Sequence, residues 1–192
     1  MDSGAPTAAP GTSLPTAGTP LAAYYAQIQP RIGTILGHRS LGVLDPVTIG
    51  RYALAIGATD PCHTDAAAAR SAGYADVVAP PNLLAAMVEW GIGTPESQLQ
   101  TDGTPPHGDM PVGEGDLGLR VMGAGEEMEL VSPVLAGTEI MLETRLEAVT
   151  PKRTRSGDCM FVTTANIFMA ADGTVLNRNR RTIVLRNPAE EA

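Results

Sequence analysis

The sequence is poor in cysteine and in basic residues, and it lacks any long apolar run. Its two cysteines, Cys62 and Cys159, lie far apart, and neither belongs to a CxxC motif or to a Cys/His pattern with zinc-finger spacing. We therefore expect two reduced thiols, as in a cytoplasmic protein, and neither a disulfide framework nor a metal site.

The shortage of positive charge limits the possible partners. The chain has 13 Lys and Arg residues against 21 Asp and Glu residues, which gives a net charge of −8. Such a chain repels nucleic acid and anionic lipid, so neither is an expected partner. No stretch approaches the roughly 18 apolar residues of a membrane helix. Residues 1–20 also lack the basic start and apolar core of a signal peptide.

The length and the apolar content fit a single domain. The 192 residues are 43% hydrophobic and 18% charged, which allows a core without disulfides or metal but not two ordinary domains. The first part of the chain is rich in Ala, Pro, Thr, Gly and Ser, as is typical of a disordered tail. We predict tails at residues 1–20 and 188–192 and one domain over residues 21–187.

Helix signals concentrate in the first half of the chain. A short helix over Leu21–Gln29 is expected to end at Pro30. Asp45 and Pro46 are typical of the cap and the first position of a second helix. Apolar residues then recur at helical spacing until Gly57, where this second helix should end.

His63 lies between the second helix and a predicted third one. Either Thr64 or Asp65 can cap a helix of one to two turns over Ala66–Ala72, which should end at Gly73. We therefore expect His63 in a loop that connects two helices tightly.

The central helix is predicted at Pro80–Trp90, after a brief extended piece over residues 76–79. Pro80 and Pro81 can only begin a helix. The residues that follow include one apolar stripe of Leu83, Leu84, Met87 and Val88. Residues 91–115, rich in glycine and proline, are expected to form a lid or a partly mobile insertion.

The second half of the chain has the alternation and the β-branched residues of strands. We predict a hairpin turn at Ala171–Gly173 and four strands, over Glu126–Val131, Thr138–Val149, Cys159–Met169 and Thr174–Arg186. Helices followed by an antiparallel run of strands indicate an α+β fold, in which a sheet curls around one apolar helix.

Several short motifs resemble, in their order and spacing, those of the MaoC-like dehydratase and hydratase family, in its branch related to fatty-acid-synthase-type dehydratases. They cover about residues 30–187 and comprise Tyr52–Gly57, Asp60–Asp65, Ala69 with Gly73–Tyr74, Val78–Pro81, Gly125–Glu127, Ser132–Gly137 and Asp172–Gly173. The resemblance implies a single hotdog domain, an antiparallel sheet wrapped around one central helix, that pairs with a second hotdog subunit as a homodimer or a heterodimer. It also implies an acyl-CoA or acyl-carrier-protein thioester as substrate, reversible hydration of a 2-enoyl thioester as the reaction, and no cofactor.

His63 matches the catalytic histidine of that family, although it could also be a loop histidine with local hydrogen bonds only. Hydration needs groups that take a proton from water and deliver one to the α-carbon, and donors that hold the thioester oxygen. In active relatives an Asp lies five residues before the histidine, where this chain has Ala58. Asp60 and Asp65 flank His63 and are candidate catalytic residues, although Asp60 also fits a turn and Asp65 a helix cap.

The start of the central helix is the second expected part of the site. Active relatives have His-Gly there, whereas this chain has Ala79-Pro80-Pro81, and a proline has no N–H to donate. The amide of Asn82 or of Leu83 could replace the lost donor. The resemblance implies a substrate-binding set of Tyr74, Ala79, Pro80, Pro81 and Asn82.

Basic residues are clustered late in the chain. Because Arg forms strong paired hydrogen bonds with phosphate, they could contact CoA or the acidic surface of a carrier protein. They could equally form the solvated face of strands and a turn. The candidates for substrate binding are Arg153, Arg178 and Arg180, with Lys152, Arg155 and Arg181 beside them.

Two of the three catalytic elements are altered. We therefore predict a hydro-lyase subunit that holds substrate for a catalytically complete hotdog subunit. A self-sufficient homodimeric hydratase that uses His63 and a non-catalytic acyl-thioester binding module are the alternatives, and a hotdog thioesterase is a weaker one.

Overall fold

Five antiparallel strands form one sheet in the computed structural model, which describes residues 13–88, 95–99, 101, 103 and 117–188. The strand order is β1-β3-β4-β5-β2, so that β1 and β2 lie at the two edges. The strands span Ile35–Val43 (β1), Arg120–Leu130 (β2), Glu139–Thr154 (β3), Gly157–Ala170 (β4) and Val175–Arg186 (β5). The predicted α+β class with an antiparallel sheet is confirmed.

The four predicted strands are present, and the hairpin turn joins β4 to β5. Gly173 adopts a left-handed φ of 87°, and its amide donates to Ala170 O at 2.9 Å. The prediction of only four strands is wrong, because β1 was missed. That strand has no apolar alternation and is exposed at most positions, so its formation rests on backbone pairing with β3.

Four α-helices precede or cross the sheet: α1 (Pro20–Ile28), α2 (Pro46–Ala55), α3 (Ala66–Ser71) and α4 (Leu83–Met87). Short 3-10 helices cover Gln29–Arg31, Pro61–His63 and Glu96–Gln98. His63 therefore ends a 3-10 helix and does not lie in an irregular loop, because Pro61 fixes a helical φ at its first position.

The capping predictions are confirmed, and the structure decides between Thr64 and Asp65. Asp45 Oδ1 accepts hydrogen bonds from the amides of Val47 and Thr48, both at 2.9 Å. At α3, Asp65 Oδ1 accepts from Ala67 N at 2.7 Å, so Asp65 is the cap.

The ordered domain begins earlier than residue 21. Thr16 donates through both its amide and its hydroxyl to Asp158 on β4, at 2.7 and 2.6 Å, and Thr19 caps α1. The assignment of residues 13–20 to a disordered tail is therefore wrong, since hydrogen bonds to the distant β3–β4 hairpin fix this segment. The remainder of the predicted N-terminal tail, residues 1–12, lies outside the described residues.

One face of the sheet carries two apolar clusters. In the first, Ile49 of α2 and Leu83 and Leu84 of α4 pack against the sheet near Phe168. In the second, α1 contributes Leu21, Tyr24 and Ile28, which pack against strand residues that include Met160. Phe168 and Met160 are an even number of residues apart on β4, so both clusters lie on the same face.

The helix that the sheet packs against is described for its first five residues. Pro80 and Pro81 precede it, and the helix proper begins at Leu83, two residues later than a start at Pro81. Leu83, Leu84 and Met87 are buried, and complete burial of each such side chain contributes about 1.5–3 kcal/mol. Trp90 and most of the predicted lid at 91–115 lie outside the described residues.

Within the described part of the chain, no helix has the length and apolar character needed to cross a membrane.

Candidate active site

The site is built around the 3-10 helix that ends at His63. Asp60 caps this helix, because its Oδ1 accepts the amide hydrogen of Cys62 at 2.9 Å. That hydrogen bond also lowers the pKa of the Asp60 carboxyl below its usual range. An exposed carboxylate held ionised in this way acts as a turn residue, and it is poorly suited to deliver a proton.

His63 is fixed to the extended segment before the central helix. Its Nδ1 lies 2.7 Å from Val78 O, and Val78 N donates in return to Cys62 O at 3.0 Å. A carbonyl oxygen can only accept, so Nδ1 carries the hydrogen in this contact. In the neutral imidazole Nε2 is then the free lone pair, which is the form that a general base requires.

Val78 links the histidine to a cavity of about 290 Å³. The cavity lies between the start of the central helix and the segment that follows β2. Its lining consists of Tyr74, Val78, Ala79, Pro80, Pro81, Leu130, Val131, Ser132, Pro133, Val134 and Asn177. Four predicted substrate-binding residues, Tyr74, Ala79, Pro80 and Pro81, are thus brought together around one space.

Backbone donors are scarce at the start of the central helix. The amide of Ala79 donates to Val134 O at 2.8 Å, and Pro80 and Pro81 have no N–H. Of the two amides proposed as replacements, that of Leu83 donates to Pro80 O at 3.0 Å. The amide of Asn82 has no hydrogen-bond acceptor among the described residues, although Asn82 does not line the cavity.

Asn177 is the cavity residue that sequence reasoning missed. It lies on β5 and is only 2% exposed. Its Nδ2 is 3.5 Å from Pro81 O and 3.8 Å from Met128 Sδ. The available signal was the Asn-x-Asn spacing of Asn177 and Asn179, which places two amides on one face of a strand that is otherwise apolar toward the core.

Two other candidate groups near His63 have local roles. Asp65 caps α3 through Oδ1, as described above. Hydrogen bonding to the Asp60 carboxylate raises the pKa of the Cys62 thiol. Since the thiolate is the nucleophilic form of cysteine, this environment disfavours covalent catalysis by Cys62.

The basic candidates are paired with carboxylates, and none of them lines the cavity. Arg153 Nε lies 2.7 Å from Asp158 Oδ1 in the β3–β4 hairpin. Arg178 pairs with a glutamate of β2, and Arg180 bridges glutamates of β2 and β3. These partners are Glu129 for Arg178, and Glu127 and Glu147 for Arg180. Phosphate binding by these arginines stays a prediction.

Among the described residues, no group of three or more His, Cys, Asp and Glu side chains is placed to hold a metal ion.

Comparisons with known proteins agree with the fold. A family model described as "FAS1-like, dehydratase domain region" matches residues 34–178. A UPF0336 protein of Clavibacter michiganensis subsp. michiganensis is 33% identical over 159 residues, which cover 77% of this chain and 91% of that protein. A probable enoyl-CoA hydratase alpha subunit of Thermomonospora curvata is 27% identical over 161 residues. This match covers 82% of the chain but only 50% of that relative.

The structure is also similar to a chain of the ChsH1-ChsH2 complex from Mycobacterium tuberculosis. The TM-score is 0.67 with 23% sequence identity, and the match covers 88% of this chain and 93% of the other. At this identity the similarity concerns the fold alone.

Proposed function

Because this chain belongs to the MaoC-like hotdog dehydratase family, in its FAS1-like dehydratase branch, we propose that it is one subunit of a (3R)-hydroxyacyl-thioester dehydratase or 2-enoyl-thioester hydratase. In this proposal the chain holds the acyl thioester, and a second, catalytically complete hotdog subunit performs most of the proton transfer. The thioester is carried by CoA or by an acyl carrier protein.

The observation that carries the proposal is an incomplete set of catalytic groups beside a formed cavity. Ala58 occupies the position of the carboxylate five residues before the histidine, and a methyl group cannot transfer a proton. At the start of the central helix, Pro80 and Pro81 replace a backbone donor. His63 is nevertheless held in an ordered position next to the cavity.

The rim of the cavity supports a partner subunit. Leu130 and Val131 line the cavity, yet their side chains are 55% and 43% exposed. Leu130 ends β2, which is an edge strand of the sheet. Apolar side chains at the mouth of a cavity are stabilised when a partner or a ligand covers them. The volume of about 290 Å³ is at the lower end of ligand pockets, so a partner surface would complete the space for an acyl chain.

The printed names of similar proteins are consistent with this division of labour. One relative is named as the alpha subunit of a probable enoyl-CoA hydratase, and one structural neighbour comes from a two-component complex. This chain spans half the length of that hydratase subunit, so the remaining half has no counterpart here.

The test is reconstitution. The chain is isolated from its native cell, any second hotdog protein that accompanies it is identified, and the two are then purified alone and together. The expected result is slow or absent hydration of 2-enoyl-CoA by this chain alone and rapid hydration by the complex. A homodimer of this chain that hydrates enoyl-CoA rapidly, and loses this activity in His63→Ala, would contradict the subunit proposal.

The second candidate is that self-sufficient hydratase, and the geometry of His63 favours it. Because Nδ1–H is bound by Val78 O, Nε2 is available to take a proton from water as it adds to the β-carbon. Val78 O would then stabilise the imidazolium that forms. A non-catalytic binding module would instead bind acyl-CoA while no substitution at His63 or Asp60 changed the rate of any assembly.

The three basic candidates are secondary to these alternatives. Arg153, Arg178 and Arg180 can contact the phosphates of CoA only in competition with the carboxylates that now pair with them. Because exposed ion pairs contribute little free energy, such an exchange of partners is feasible.

A further inference from the structure

Asn177 is a polar side chain in an apolar place. It is 2% exposed, and it lines the cavity together with Pro80, Pro81 and Val134. Burial of a side-chain amide without good hydrogen bonds costs about 1–3 kcal/mol. A group retained under that cost commonly has a partner that is absent from the free protein.

The hydrogen bonds of Asn177 are weaker than those of the other buried asparagines. Its Nδ2 contacts Pro81 O at 3.5 Å and Met128 Sδ at 3.8 Å, both at the long limit for a hydrogen bond, and a thioether is a weak acceptor. In contrast, Asn166 Oδ1 accepts from Thr144 Oγ1 at 2.8 Å. Asn179 Nδ2 donates to Glu126 Oε1. The donor capacity of Asn177 is therefore largely unused.

Other donors around the cavity are engaged. The amides of Val78 and Ala79 donate to Cys62 O and Val134 O, and the amides of Val131 and Ser132 both donate to Leu176 O. Asn177 is thus a spare donor beside Pro81, at the end of the cavity where the helix start supplies no N–H.

We propose that the side-chain amide of Asn177 donates a hydrogen bond to the carbonyl oxygen of the bound acyl thioester. It takes over, from a strand, the role that a backbone amide at the helix start performs in active relatives. This inference rests on the proposed function, since it assumes a thioester in the cavity. Position on β5 favours the role, because a strand holds a donor rigidly and a preorganised donor stabilises developing negative charge best.

The test uses the carbonyl stretching frequency of bound octanoyl-CoA labelled with ¹³C at the thioester carbon. Octanoyl-CoA is saturated, so it binds without being hydrated, and the label separates its carbonyl band from protein bands. The protein is the full chain, alone and in complex with its hotdog partner. A hydrogen bond to the oxygen lowers the frequency, so the wild type is expected to show a shift to lower frequency relative to free ligand.

Two variants remove the donor. Asn177→Leu and the isosteric Asn177→Asp are both expected to lose the frequency shift and to weaken binding roughly 3- to 10-fold. The matched control is Asn179→Leu, on the same face of β5 but outside the cavity lining, which is expected to retain the shift. Thermal unfolding identifies any variant that fails to fold, and the Asp variant replaces the Leu variant in that case.

The outcomes separate the two proposals. Binding of octanoyl-CoA to the wild type without a lowered carbonyl frequency, or with a shift that persists in the Asn177 variants, overturns the role of Asn177 and leaves the proposed function intact. Absence of octanoyl-CoA binding to the chain and to its complex overturns the proposed function and this inference together.

Discussion

The imidazole of His63 and the backbone of Val78 form a reciprocal contact. Nδ1 of His63 lies 2.7 Å from Val78 O, while the amide of Val78 donates to Cys62 O. The contact joins a 3-10 helix to the segment that leads into the central helix. It fixes the tautomer of the ring and places the ring next to a residue that lines the cavity.

The first prediction concerns His63 in the reconstituted complex. If this chain mainly holds substrate, His63→Ala should lower kcat/KM for 2-enoyl-CoA less than about 10-fold, whereas loss of an essential general base costs roughly 100- to 10,000-fold. Steady-state hydration rates measure the difference. His38→Ala, on the exposed edge strand β1, is the matched control. A loss of 100-fold or more for His63→Ala alone would move catalysis to this chain.

The second prediction concerns the missing carboxylate. Ala58→Asp restores an acid/base group five residues before His63, so the isolated chain should gain measurable hydration of 2-enoyl-CoA. The gain should remain partial, because the proline-containing helix start still lacks its donor. Ala58→Asn, of the same size but unable to exchange a proton, is the control. Equal rates for the Asp and Asn variants would exclude the carboxylate as the limiting element.

The third prediction separates capping from catalysis at Asp65. Asp65→Ala removes the acceptor for the amides of Ala67 and Ala68. It should lower the free energy of unfolding by roughly 1 kcal/mol, as measured by urea denaturation. Hydration by the complex at a temperature where both proteins are folded should be unchanged. Asp65→Asn, which keeps a capping oxygen, should recover most of the stability, and a loss of rate in that variant would instead indicate a catalytic carboxylate.

The fourth prediction concerns the hydrogen-bonded cluster at Asp158. Arg153 and Thr16 hydrogen-bond to its carboxylate, and Arg153 above all holds the pKa of Asp158 well below its usual range. The native state therefore binds a proton less readily than the unfolded chain does, so the stabilisation is complete above the unfolded pKa of about 3.9. It declines as the pH falls below that value toward the native pKa.

Thermal unfolding of Asp158→Asn tests this linkage. At pH 7 the variant should unfold roughly 2–5 °C below the wild type, and the difference should shrink at pH 3. Asp172→Asn, at the β4–β5 turn, is a control carboxylate that binds only a local amide. A difference between wild type and Asp158→Asn that is the same at both pH values would exclude Asp158 as the titrating group.

The elements that could be predicted are those governed by near neighbours in sequence. Asp45 and Asp65 cap their helices through amides two and three residues ahead. Gly173 turns a hairpin through a bond to Ala170, three residues back. These interactions need no knowledge of the remaining chain. Strand β1 escaped prediction for the opposite reason, because its exposed residues carry no apolar alternation and only pairing with β3 stabilises it.

The sequence by itself determined the α+β class, the local caps and turns, and the resemblance that identifies the chain as a dehydratase-like hotdog protein. The tertiary structure decided which side chains share the cavity. Asn177 meets Pro81 across 96 positions of sequence, and Thr16 meets Asp158 across 142. Such contacts depend on the register of five strands and the packing of helices on one face of the sheet. These are properties of the folded chain as a whole that no local pattern encodes.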